Sequence, residues 1–214
     1  ILPNYALIDN NKLTICGEFH LPIHHNLMVL NGQKIEEIEE VYSHPMALLQ
    51  CHEFFKKHPH IKLIEDKDTA DVARRIQKNK LKGVGAIASV LASEIYDLTI
   101  LESDIQTIKE NSTRFFILTN SEAKSSVSAN KVSIKFITGH KEGSLAEVLS
   151  ILAKHELNLS KIQSMPIIEK PWSYAFFADF IFKNYADYYN ALNEIRDKVE
   201  VVQVLGEYNK GKRK

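Results

Sequence analysis

Apolar positions along this chain recur at strand spacing, then at helix spacing, then at strand spacing again, and each change of period marks an element. Residues 11–30 read as extended: KLTICGEF, a turn at Pro22, then HHNLMVL, closed by a turn at Asn31-Gly32. In VYSHPMALLQCHEFF a helix is expected to start near Ser43, with the serine as N-cap and Pro45 in the first turn. Ala47, Leu48, Cys51, Phe54 and Phe55 then share one helical face. IKLIED (61–66) reads as a short strand. DTADVARRIQKNK reads as an amphipathic helix capped by Asp68 or Thr69. GVGAIASVLASEIYD reads as a buried strand or turn leading into a helix, and LTILESDI as another extended piece. Strands alternating with helices predict an α/β layer arrangement.

NSEAKSSVSAN (120–130) breaks this pattern. It holds small and polar residues with no large apolar run, which is linker composition. The chain is therefore divided into a first domain over 1–120, a linker over 121–130 and a second domain over 131–208, with a basic tail over 209–214.

The second domain has a plain element order. KVSIKFI alternates, with Val132, Ile134 and Phe136 on one face. GSLAEVLSILAKHE is helical, with Ser144 and Glu147 spaced for a capping box and Leu145, Val148, Leu149 and Leu152 as its stripe. LNLSKIQSM is extended, and SYAFFADFIF alternates with large residues. In NYADYYNALNEIRDKV, Tyr185, Tyr188, Leu192, Ile195 and Val199 recur at helical spacing. VEVVQVLGEY closes the series as a strand. The order βαββαβ predicts a ferredoxin-like sandwich built of two strand–helix–strand halves.

Composition changes this picture little. The chain has 214 residues, 44% hydrophobic and 25% charged, with 27 basic and 27 acidic residues. A balanced charge gives no reason to expect nucleic acid or a membrane surface as a partner. No apolar run reaches the length of a membrane span and no signal peptide is visible, so a cytoplasmic setting is expected. Cys51 lies among apolar residues and reads as a buried thiol. The chain starts at Ile1 rather than at Met, so it reads as a partial or processed polypeptide.

Candidate chemistry concentrates in NSTRF (111–115). The arginine fork matches a carboxylate, and the threonine hydroxyl can donate a hydrogen bond or relay a proton. At a strand end in an α/β sheet such groups would face a cleft. A turn carrying a surface arginine is the plain alternative. GVGAIA (83–88) imitates a dinucleotide fingerprint, but it lacks a clear preceding strand and a well-placed acidic partner, so close packing accounts for its small residues. His20, His24 and His25 form the densest histidine group, yet the segment reads as extended around Pro22 and no cysteine or carboxylate completes a ligand set, so no metal is expected. GHKEGSL (139–145) leads through Gly143 into a helix whose first N–H groups suit an anion such as an amino-acid carboxylate. A plain helix cap is the alternative.

Taken in order, these stretches resemble prephenate dehydratase. GEFHLPIHHNL (17–27) is similar to the family's Gly-Glu-x-x-Leu-Pro-Ile-x-His-x-Leu. VYSHPMALLQC (41–51) is similar to Val-x-Ser-His-Pro-Gln-Ala-Leu-x-Gln-Cys, with Met46 in place of Gln. DTADVAR, GAIAS, YDLTIL and DIQ follow, and NSTRFFIL looks like the Asn-x-Thr-Arg-Phe signature. The βαββαβ part resembles the ACT regulatory domain, with GSLAEVL and KIQSMP similar to Gly-Ala-Leu-x-x-x-Leu and Lys-Ile-Glu-Ser-Arg-Pro.

The resemblance implies a periplasmic-binding-protein-like α/β lobe followed by a ferredoxin-like ACT domain. It implies conversion of prephenate to phenylpyruvate with loss of carbon dioxide and water, in phenylalanine biosynthesis and with no cofactor. Thr113 would donate to the leaving hydroxyl, Arg114 would hold a carboxylate or brace the motif, and Phe115 would pack behind them. His25, Ser43, His44, Ala86 and Ser89 become candidates for the substrate cleft. Gly143, Ser144, Leu145 and Ala146, with Gln163, Ser164, Met165 and Pro166, become candidates for binding L-phenylalanine as allosteric effector. Gln163 and Met165 stand where the family has Glu and Arg, which implies an altered effector pocket or weakened feedback.

The family's opening Gly-x-x-Gly-x-Phe-Ser and Glu-Asn-Ser motifs have no counterpart here. A first lobe is therefore expected upstream, or this polypeptide does not turn over alone. Arogenate as substrate stays open, as does a non-catalytic amino-acid sensor or assembly module. A homodimer or homotetramer is expected, since SYAFFADFIF is apolar on both faces.

Overall fold

The computed structural model describes residues 3–121, 128–168 and 170–212. In chain order the first elements are α1 (Pro3–Asn10), β1 (Thr14–Pro22), β2 (Asn26–Val29), β3 (Glu40–Ser43), α2 (Pro45–Gln50), α3 (His52–Phe55), β4 (Lys62–Glu65) and α4 (Thr69–Asn79). There follow β5 (Val84–Ala88), α5 (Val90–Tyr96), β6 (Thr99–Glu102), β7 (Ser112–Thr119) and β8 (Lys131–Ile137). The last are α6 (Ser144–Lys154), β9 (Asn158–Pro166), β10 (Tyr174–Ile181), α7 (Tyr185–Arg196) and β11 (Val201–Tyr208).

Packing separates two compact units: Leu21–Thr113, and Ile1–His20 together with Arg114–Lys214. Of the linker read over 121–130, residues 122–127 lie outside the described residues.

The unit Leu21–Thr113 holds a five-stranded sheet in the order β4-β3-β5-β2-β6. β3 runs parallel to β4 and β5, whereas β2 is antiparallel to β5 and β6. Its core lies on both sheet faces. Leu27, Val41, Leu48, Cys51 and Ile87 pack on one side; Met28, Val72, Ile76 and Ala86 pack on the other. Two sequence expectations shift by a residue or more. The N-cap of α2 is His44, whose Nδ1 accepts from the Met46 N–H at 3.2 Å. Ser43 instead ends β3, fully buried, and its hydroxyl donates to the Ile87 carbonyl at 3.0 Å. The single long helix read from Ser43 is two short ones, α2 and α3, joined at Cys51.

In the other unit, β8–β11 form a four-stranded antiparallel sheet in the order β11-β8-β10-β9, the ferredoxin-like arrangement. Helices α6 and α7 cover one face through Val148, Ile151, Leu152, Tyr188, Leu192 and Ile195. The Ser144–Glu147 capping box is not formed. Gly143 is the N-cap, at φ +79°, while the Ser144 hydroxyl donates to the Lys141 carbonyl and Glu147 pairs with Lys198.

The second sheet face is covered as well. Tyr5 and Ile8 of α1, Ile15 of β1 and Phe116 of β7 pack on Ala175, Phe177, Leu205 and Tyr208. Gly206 permits this close approach, because a Cβ there would run into the Ile15 backbone. β10 is an inner strand, so its two apolar faces are accounted for within a single copy.

Candidate active site

The carboxyl ends of β3, β4, β5 and β6 and the start of β2 lie at one end of the five-stranded sheet. From β3 the chain passes through α2 and α3 to β4 on one side. From β5 it passes through α5 to β6 on the other. The two connections diverge between Ser43–His44 and Ala88–Ser89, which makes that point the switch point where open α/β sheets take ligands.

Several polar groups converge there. The Asn26 Nδ2 donates to the Ala88 carbonyl at 3.2 Å, and the Asn26 Oδ1 accepts from the Asp104 N–H at 3.2 Å. His25 is buried. Its N–H donates to Gln106 Oε1 at 2.9 Å, and its Nε2 lies 2.7 Å from Gln50 Oε1. Gln50 Oε1 also accepts from Asn111 Nδ2 at 3.1 Å. An amide oxygen only accepts, so the His25 Nε2 donates in this contact. His24 Nδ1 meets Asp104 Oδ1 at 2.5 Å, and that contact leads the effects holding Asp104 below the usual carboxylate range. His44 and Ser89 are exposed, and Ser89 makes no side-chain cap bond to α5. Met46, beside His44, is exposed too.

From Asn111 the chain enters β7. Its side chains alternate: Thr113 and Phe115 are exposed, whereas Arg114 and Phe116 turn to the packed side. Phe115 is 49% exposed, so the ring packed against the arginine is that of Phe116, 4.5 Å from the guanidinium. This corrects the expectation that Phe115 packs behind the motif. Strand alternation puts it on the Thr113 side.

Arg114 is held by three protein groups. Its Nη1 donates to Asp179 Oδ2 at 2.5 Å and to Glu18 Oε2 at 3.3 Å, and its Nη2 donates to Tyr5 Oη at 3.1 Å. Asp179 also accepts from Ser133 Oγ at 2.6 Å and from the Tyr5 hydroxyl at 3.1 Å. With Ser133 donating to Asp179, the Tyr208 hydroxyl donates to Ser133, at 2.7 Å. Glu18 accepts from Lys131 Nζ at 2.7 Å and from the Gly211 N–H at 2.9 Å. Two carboxylates thus face two cations, and neither carboxylate side chain is exposed. Burial pushes Glu18 upward, but Lys131, the Gly211 N–H and Arg114 outweigh it and leave the carboxyl below its ordinary range. Burial and the Asp179 charge push the Tyr5 hydroxyl up, so it stays a neutral donor.

A cavity of about 570 Å³ opens in the ferredoxin-like part. Gly143, Ser144, Leu145 and Ala146 line it, opposite Trp172, Tyr174 and Phe176. The other four effector candidates sit on edge strand β9. Ser164 and Pro166 pair in register with Phe176 and Tyr174. Gln163 and Met165 alternate to the opposite face, where Met165 packs on the cluster of Tyr5 and Phe177 and the Gln163 Nε2 is buried without a hydrogen-bond partner.

The family model described as prephenate dehydratase matches residues 1–123. The chain belongs to the prephenate dehydratase family. It is 32% identical over 206 residues to a bifunctional chorismate mutase/prephenate dehydratase of Buchnera aphidicola, covering 95% of this chain and 54% of that protein. It is 35% identical over 222 residues to arogenate dehydratase 2 of Petunia hybrida, covering 96% of this chain and 56% of that protein. The chain thus spans about half the length of the curated relatives it matches. Among solved structures, the prephenate dehydratase of Staphylococcus aureus superposes with a TM-score of 0.82 at 25% identity, over 97% of this chain and 77% of that one. The architecture is accordingly that of this family: a periplasmic-binding-protein-like lobe and an ACT domain.

Of the residues singled out in the prephenate dehydratase motifs, His44 and Ser89 stand exposed at the switch point. Ser43 and His25 lie beneath them with their polar groups committed to Ile87 and Gln50. Ala86 is a correction. It is mid-strand and fully buried among Met28, Val72 and Ile76, so it belongs to the core. Sequence pattern alone does not mark Gln50, Asn26 or Asp179 as site residues. The signal for Asp179 was a lone carboxylate inside the apolar run FFADFIF.

Proposed function

We propose that this chain carries part of the active site of an enzyme that converts prephenate to phenylpyruvate, with residues 131–208 as its regulatory domain. The ring carboxylate leaves as carbon dioxide, and the electrons of the broken C–C bond enter the ring. The C–O bond then breaks, the departing hydroxide takes up a proton and leaves as water, and the ring becomes aromatic. Since aromatisation drives the reaction, the protein's work is to orient the substrate and help hydroxide leave. Thr113 donates the hydrogen bond to the leaving oxygen. Arg114, engaged by Asp179, Glu18 and Tyr5, braces the strand.

The observation that carries this reading is the exposed Thr113 hydroxyl on β7, set one residue from a clamped arginine in the family's signature order. The test is phenylpyruvate formation from prephenate by the purified chain and by a longer polypeptide that includes whatever precedes Ile1. Prephenate left unchanged by both removes the reading. Arogenate is assayed beside it, because a relative named for that substrate matches over most of the chain.

A second reading, an amino-acid sensor, is supported by the cavity at Gly143–Ala146. Calorimetry with L-phenylalanine and other aromatic amino acids tests it, and absence of binding by all of them removes it. Cys16 and Cys51 are free thiols, which suits the cytoplasmic setting proposed here.

A further inference from the structure

We infer that Asp179 and Glu18 are positioning residues: through Arg114 they hold the strand that carries Thr113. The inference rests on the dehydratase reading only for what Thr113 does; the brace itself stands on geometry.

β7 belongs to a two-stranded sheet with β1. A hairpin-sized pair of strands is marginal by itself, so something outside the ribbon must fix it. Along β7 only Arg114, Phe116 and Thr119 are not exposed. Phe116 contributes ring contacts to Tyr5 and Tyr208, at 5.6 and 6.5 Å. Such contacts resist separation of the two surfaces but tolerate sliding, since dispersion is weakly directional. Arg114 supplies the directional part. Its planar fork reaches Asp179, Glu18 and Tyr5 at once, an arrangement that a lysine ammonium cannot reproduce.

The acceptors are themselves fixed. Asp179 sits on an inner strand, opposite Ser133 in register, and takes hydrogen bonds from Ser133 and Tyr5. The β10–β9 register shifts between Asp179 and Phe180, and there the Ser160 hydroxyl donates to the Asp179 carbonyl at 3.1 Å. Glu18 is held by Lys131 and by the Gly211 N–H. The ferredoxin-like part therefore provides the fixed end of a clamp whose other end lies next to Thr113. Asp179 acts at a distance, so it is a positioning residue and not a catalytic one.

The test is amide hydrogen exchange on the full chain, comparing Asp179→Asn with Tyr188→Phe. Tyr188 donates to Glu207 at 2.7 Å in the same part of the fold, and the hydrogen bonds of the clamp described above do not involve it. The expected result is exchange at residues 112–116 faster by about tenfold or more in Asp179→Asn than in Tyr188→Phe. Equal exchange in the two variants means that Asp179 only contributes general stability, and overturns the inference. Should Asp179→Asn fail to fold, Glu18→Gln, which removes the charge at the 3.3 Å contact, carries the same comparison. With prephenate, Asp179→Asn is expected to lower kcat about tenfold or more with KM within about twofold, and Arg114→Lys to do the same. Absence of turnover in both the unmutated chain and the longer polypeptide refutes the dehydratase reading, and the exchange data then decide the clamp alone.

Discussion

Gln50 ties His25 to Asn111: a single amide oxygen accepts from the imidazole at 2.7 Å and from the asparagine at 3.1 Å. The motif VYSHPMALLQC and the motif NSTRF are thus joined by one side chain. Gln50→Leu keeps the volume and removes the acceptor, stranding an N–H on His25 and one on Asn111. Stability is expected to fall by about 1–3 kcal/mol, the usual cost of an unsatisfied buried donor. Urea unfolding checks it. A midpoint equal to that of the unmutated chain would mean that water replaces the bond.

Thr113 is exposed, so replacing it is a test of chemistry more than of folding. Thr113→Val is expected to reduce turnover by about 10²–10⁴-fold, the scale of one positioned donor, with Tm unchanged. Thr113→Ser, which restores the hydroxyl, is expected to recover most of the rate. Equal activity in all three proteins would show that the proton comes from elsewhere.

Glu18 ties acid stability to the clamp. Its folded pKa lies below the unfolded one, so the stability it contributes is complete above the ordinary carboxylate range and is lost as pH falls through the lowered value. Tm is expected to fall from about pH 5 downward, and in Glu18→Gln that slope is expected to be shallower. Parallel Tm curves for the two proteins would exclude Glu18 as a source of the acid limb.

Gly206 lets β11 approach the backbone of β1 around Ile15. Gly206→Ala places a methyl where only backbone fits, and neither side can yield as a flexible side chain does. A loss of about 2 kcal/mol or more is expected, read by chemical denaturation. An unchanged midpoint would show that β1 can lift from the sheet at little cost.

The ferredoxin-like order was legible because each strand and helix there keeps its own period over a full element, as in Val132, Ile134 and Phe136 or in Val148 and Leu152. What the pattern missed follows from one cause. The other face of β8 carries Lys131, Ser133 and Lys135, and polar residues at alternate positions read as a solvated face. In the fold Lys131 and Ser133 are buried, because α1, β1 and β7 cover that face and bring their own charged groups. Helix α1 was not anticipated, since its buried residues Tyr5 and Ile8 make too short a stripe to recognise. Ser43 read as an N-cap because serine suits that position. Histidine took the role instead, and the serine hydroxyl went to a neighbouring strand.

The covered sheet β11-β8-β10-β9 has a consequence for assembly. With helices roofing one side and α1, β1 and β7 the other, neither broad surface of that sheet is available for stacking against a second copy. Its unpaired backbone groups lie along the two outermost strands, β9 and β11. Any association built on this sheet must therefore extend it laterally, rim to rim, adding strands in the same plane and not another layer.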